Sequence, residues 1–102
     1  MKVRNMQSPT TGREVANQFV ITDEETNRVT FQGYDSEIIT IDRDKKVMTV
    51  GKDWDYSQTT GRYRNSFMED QGFWEMATTK DFRKYLKAGK IDNFDIVLAS
   101  GN

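Results

Sequence analysis

The chain has 102 residues, of which 35% are hydrophobic and 30% charged, with 15 basic and 16 acidic side chains and a net charge of −1. That length fits one domain, residues 1–102, able to bury a core without disulfide or metal staples. The absence of cysteine and histidine excludes disulfides, thiolate nucleophiles, Cys/His zinc sites and histidine-based triads.

Acidic and basic residues are spread along both halves, so bulk charge neither favours nor excludes nucleic acid. The patterning predicts an α+β fold. An antiparallel four-stranded meander is followed by two short helices and a C-terminal strand. Residues 1–14 show no strand period and read as irregular, 15–52 as strands, 55–89 as helices and 93–99 as a strand.

Ser8-Pro9-Thr10-Thr11-Gly12 has turn chemistry, because proline presets φ and glycine permits positive φ. Asn17–Thr22 is the first predicted strand, with Phe19 and Ile21 on one face. The acidic loop Asp23–Asn27 lacks the glycine and terminal glutamate of a calcium loop and reads as a solvated turn. Arg28–Gly33 follows as a strand with Val29 and Phe31 inward, and then a turn at Gly33-Tyr34-Asp35-Ser36. Glu37–Ile41 is the third strand, with Ile39 and Ile41 facing one way and Ile38 and Thr40 the other. Lys46–Gly51 is the fourth, rich in β-branched residues that suit a pleated surface. Short loops between these strands imply antiparallel neighbours.

Trp54–Met68 is the pivot between strands and helices. Asp55 and Ser57 are both good N-caps for a helix over 55–68, and Gln58 follows Asp55 at capping-box spacing. Tyr56, Thr60, Tyr63 and Phe67 recur at i, i+4, i+7 and i+11, which at about 100° per residue aligns them on one face. Arg62 and Asn65 fall opposite, and Arg64 on the flank. Gly61 costs about 1 kcal/mol relative to alanine inside a helix, so tertiary packing must hold it. Glu69–Ala77 is a connection with a C-terminal glycine at Gly72. Within it, Phe73 and Trp74 are either a plug over the core or an exposed anchor.

Thr78–Ala88 has the clearest helical signature. Thr78 caps, Asp81 sits at N3, Phe82, Tyr85 and Leu86 form the apolar face, and Gly89 ends it. Its outer side carries Lys80, Arg83, Lys84 and Lys87, a basic stripe that can meet phosphate, an acidic partner or water. Asn93–Ala99 alternates Phe94, Ile96 and Leu98 as a last strand able to rejoin the sheet, and the final three residues are expected to fray.

Two long motifs, N-M-Q-S-P-T-T-G-R-E-V-A-N-Q-F-V-I and W-D-Y-S-Q-T-T-G-R-Y-R-N-S-F, carry a resemblance. Together with T-T-K-D-F-R-K-Y-L-K-A-G-K they resemble an uncharacterised family of short proteins from phages and prophages of Gram-positive bacteria. The resemblance covers most of the chain in order, apart from the C-terminal F-D-I-V-L-A-S and the segment E-D-Q-G-F-W-E-M. It implies a mobile-element origin and action inside the infected cell, with no catalytic residues to carry over.

The expected function is a non-enzymatic protein-interaction module in the host cytoplasm. No pair among the acidic residues is singled out by spacing for acid–base work. Candidate anchors for a host or phage protein, or for a second copy of the chain, are Tyr34, Trp54, Phe73 and Trp74. Inhibition of a host defence system is one form of this reading. The alternative is nucleic-acid binding through Arg62, Arg64, Lys80, Arg83, Lys84 and Lys87. Neither cofactor, metal nor membrane is expected.

Overall fold

A computed structural model describes residues 1–99. Its strands are β1 (Lys2–Gln7), β2 (Glu14–Asp23), β3 (Arg28–Gly33), β4 (Ser36–Asp42), β5 (Val47–Val50), β6 (Lys90–Ile91) and β7 (Phe94–Leu98). Helices α1 (Gln58–Asp70) and α2 (Thr79–Ala88) lie between β5 and β6, separated by a 3₁₀ turn at Trp74–Met76. All strands join one seven-stranded sheet in the order β1-β2-β3-β4-β5-β7-β6.

The predicted meander is present as β2–β5, antiparallel throughout. The sheet is larger than the predicted four-stranded meander: the expected C-terminal strand, found as β7, rejoins it, and β1 and β6 are two strands beyond the prediction. The segment read as irregular contains β1, which pairs antiparallel with β2. Only Met6 of β1 is buried, so no period-2 signal marks it. Its Lys2 and Arg4 suit an edge strand, where charge discourages edge-to-edge pairing. The expected Ser8–Gly12 turn joins β1 to β2, with Gly12 at φ 74° and its N–H donating to the Ser8 carbonyl at 2.8 Å. Toward the other edge, formed by β6, β7 pairs parallel to β5. Parallel neighbours need a long crossover, and the two helices supply it. The expectation for residues 100–102 lies outside the described residues.

The core side of the sheet is a grid. Val29, Ile41, Met48 and Ile96 are cross-strand neighbours in one row, and Val20, Phe31, Ile39 and Val50 in the next; all eight are buried. Phe67, Met68, Met76 and Phe82 close the core from the helical layer, with Phe67 against Phe31 at a ring separation of 5.9 Å. The opposite face carries a row with one β-branched residue from each strand except β6: Val3, Ile21, Thr30, Thr40, Thr49 and Val97. Phe19 and Ile21 share that outer face and are half-buried, while Gln18 and Val20 face the core.

Strict alternation in the third predicted strand also fails at one position. The pairing of β3 with β4 shifts register between Phe31 and Gln32, and Ile38 is buried along with Ile39 and Ile41. An extra residue in one strand re-aims its side chain. Gly51 packs against that shift. A Cβ there would stand 2.1 Å from the Glu37 carbonyl oxygen, so only glycine fits without moving backbone.

Ser57, not Asp55, caps α1, accepting from the Thr60 N–H. The helix therefore starts after Tyr56, and that ring is 74% exposed, correcting its place in the core stripe. Thr60, Tyr63 and Phe67 are buried as expected. Gly72 ends the helix at φ 89°. Its N–H donates to Glu69 O and that of Phe73 to Met68 O, the paired bonds of a Schellman ending. For α2, Thr78 Oγ1 accepts from the Asp81 N–H and Gly89 takes the left-handed C-cap, both as predicted.

Candidate functional site

The β3–β4 hairpin closes with Gly33 paired to Ser36, leaving a two-residue loop, Tyr34–Asp35. The first position of such a loop takes positive φ, which favours glycine. Tyrosine occupies it here at φ 55°. Neighbouring bonds hold it: its N–H donates to the Asn17 carbonyl at 2.6 Å and its carbonyl accepts from Gln32 Nε2 at 2.9 Å. The Tyr34 ring is half exposed.

Ser36 Oγ then donates to Asp53 Oδ2 at 2.8 Å, tying the hairpin to the segment between β5 and α1. In that segment the Tyr56 N–H donates to the Asp53 carbonyl at 3.1 Å. The two segments enclose a cleft of about 560 Å³, walled by Tyr34 and Tyr56, edged by Asp35 and Asp53, and floored by Gly33 and Ile38. No basic side chain lines it. Beside the floor, Gln18 is 2% exposed and its Oε1 has no hydrogen-bond partner among the described residues.

A second meeting of rings and charge lies where α1 crosses α2. Arg64 is fully buried. Its guanidinium carbon is 4.6 Å from the Phe82 ring centre and 5.3 Å from that of Trp54, and the two rings stack at 5.3 Å. Arg64 donates to the Trp54 carbonyl, to Thr79 Oγ1 at 2.7 Å and to Asn65 Oδ1 at 3.1 Å. Burial pushes its guanidinium down to about 10, opposed by nearby Asp55, so it stays protonated at neutral pH. Its Nε has no partner. Asp55 pairs more closely with Arg83, at 3.0 Å.

This placement corrects two expectations. Arg64 is a core staple and does not extend the α2 stripe to the surface. Trp54 is half-buried in the stack and is no free anchor. A helical signal for Arg64 exists: Thr60, Tyr63, Arg64 and Phe67 stand at i, i+3, i+4 and i+7, the spacing of a core-facing stripe. The open alternative between plug and anchor splits between two neighbours. Phe73 is buried, edge-on to Phe94 at 5.3 Å, whereas Trp74 is 65% exposed. Arg62, Lys80, Arg83, Lys84 and Lys87 are exposed. Of these, Arg83 is neutralised by Asp55, and Lys84 sits over the Tyr85 ring.

Tyr56, which sequence reasoning put in the core, thus joins Tyr34 as a cleft wall. The usable signal is its position directly before the better cap, Ser57, which leaves it outside the helix. Carboxylates and phenols can bind donors and flat cations. No described helix is long and apolar enough to cross a membrane. No curated protein and no solved structure matches the chain. A family model does match, over residues 1–84, stopping within α2 and leaving out β6 and β7. On that match the chain belongs to the family of unknown function DUF8033.

Proposed function

We propose that the protein is a small phage- or prophage-encoded accessory protein that works as a non-enzymatic protein-interaction module in the host cell. The origin rests on the resemblance carried by the two long motifs. The interaction reading rests on one observation: Tyr34 and Tyr56, both exposed, wall the same cleft. Tyrosine is enriched at interface hot spots because a large ring buries much area at low entropic cost. Exposed Trp74, in the 3₁₀ turn between the two helices, is a further anchor.

Quantitative capture from lysogenic cells tests this, comparing the intact protein with Tyr56→Ala and Trp74→Ala. The reading expects at least one protein recovered in near-stoichiometric amount by the intact chain and depleted by a variant. Equal recovery of every protein by all three chains would sink it.

Nucleic-acid binding is a second reading, supported by Lys80 and Lys87 on the exposed side of α2, with no carboxylate within ion-pair distance among the described residues. Withdrawal of Arg64 into the core and of Arg83 into an ion pair weakens it. A titration with single- and double-stranded DNA at two salt concentrations decides, because phosphate contacts weaken steeply with salt.

A further inference from the structure

We infer that the cleft between the β3–β4 hairpin and the start of α1 receives an arginine side chain of a partner protein. The inference rests on the interaction reading above and names what the cleft would hold.

Its walls decide the class of ligand. Asp35 and Asp53 supply carboxylates, and no lysine or arginine lines the space to neutralise them. Only one Asp53 oxygen is engaged, by Ser36, and the Asp35 side chain accepts no hydrogen bond within the described chain. An anion would meet two like charges there, which disfavours phosphate and a nucleic-acid backbone. A cation meets acceptors and two tyrosine faces, and ring faces attract cations. Gln18 lies behind the floor and does not line the cleft, so the two carboxylates and the two rings carry the recognition.

Planarity selects arginine over lysine. A guanidinium can stack flat on a ring and offer paired N–H groups to a carboxylate, whereas an ammonium is a compact, strongly hydrated point charge. The chain itself sets a guanidinium against rings elsewhere, with Arg64 beside the stacked Trp54 and Phe82. The adjoining smaller cleft of about 270 Å³ shares Asp35, Ser36 and Asp53 and adds Glu37. A peptide can therefore run on past the first site along a mostly acidic path, although Lys52 also lines that second space.

A short capped peptide with one arginine between glycines is the probe, followed by backbone amide NMR at low salt on the intact protein. Citrulline in place of arginine gives a neutral isostere, and lysine a non-planar cation. The expected result is movement of amide signals from Gly33–Ser36 and Asp53–Thr60. Binding should be weaker by at least about tenfold for citrulline, and also weaker for lysine. Asp35→Asn and Tyr56→Ala change exposed side chains with no hydrogen-bond partners, so they should fold and lose most of the effect. Unmoved cleft signals, equal response to citrulline or lysine, or movement confined to the acidic loop Asp23–Glu25 would each overturn the inference. If Tyr56→Ala or Trp74→Ala still loses a captured partner while the arginine peptide leaves the cleft unmoved, the ligand class fails and the interaction reading stands. If the peptide binds and no partner is lost, the converse holds.

Discussion

Two places where rings gather beside polar groups differ in one respect: the α1–α2 stack holds a buried cation and the cleft holds none from the described chain. In the stack, Arg64 lies against both Trp54 and Phe82, and a backbone carbonyl, a hydroxyl and an amide oxygen take its N–H groups. In the cleft, Tyr34 and Tyr56 stand beside Asp35 and Asp53 with no cation supplied by the chain. One site is closed and serves the fold. The other is open, and its groups stay solvated at little cost because they are exposed. Burial separates them: a buried guanidinium must have partners to persist, whereas an exposed carboxylate needs none.

Arg64→Ala should break this comparison hardest. It leaves a cavity beside the two stacked rings and removes the donor from the Trp54 carbonyl and the Thr79 hydroxyl. A loss of about 3–5 kcal/mol is expected in urea unfolding. Arg64→Met, which keeps most of the volume, should recover part of that. Cleft signals in NMR should stay in place for whatever fraction remains folded.

Gly51→Ala acts on the other side. Its Cβ would meet the Glu37 carbonyl oxygen at 2.1 Å, forcing a backbone shift that costs about 1–3 kcal/mol or more. Amide shifts should concentrate at Glu37–Ile39 and the cleft and spare the stack. Tyr34→Gly sharpens the contrast further. It relieves a positive-φ tyrosine, an arrangement costing on the order of 1–3 kcal/mol, against glycine's extra chain entropy. Thermal melting should show unchanged or slightly raised stability, together with loss of arginine-peptide binding. A tyrosine kept where glycine folds as well has a use other than folding.

Asp55→Asn should cost about 1 kcal/mol, since its pair with Arg83 is solvent-exposed, and high salt should shrink the difference without abolishing it, because Asp55 also lies 3.9 Å from buried Arg64. Asp42 lies outside both sites and serves as a control at neutral pH. The Lys45 N–H, then Arg28, hold its carboxyl below the ordinary 3.8, against the opposing effect of burial. A lowered native pKa means the carboxylate stabilises the fold above 3.8 and loses that contribution as pH falls through the native value. Asp42→Asn should flatten the acid limb of a stability–pH curve and leave arginine-peptide binding unchanged.

Much of this was legible in local chemistry. Thr78 and Gly89 bracket α2, Gly72 ends α1, and Val29 with Phe31 face the core, as their spacing requires. The Tyr34–Asp35 turn exposes its tyrosine because a two-residue hairpin loop projects its side chains outward. Other features were hidden for identifiable reasons. β1 has one buried residue, so its strand character comes from its neighbour and not from its own period. Ile38 breaks alternation because a register shift is a property of two strands together. Arg64 has a polar identity in an apolar position, and identity misled where spacing did not.

Composition and periodicity alone determined the chemistries this chain lacks, the meander, the second helix and its caps, because those depend on residues close in sequence. Which tyrosine is buried, which arginine is sealed against a pair of rings, and where carboxylates gather without a counter-charge were settled only when β5, α1 and α2 packed onto the sheet. Burial and charge pairing depend on groups brought together from distant points in the chain, and no local pattern encodes that meeting.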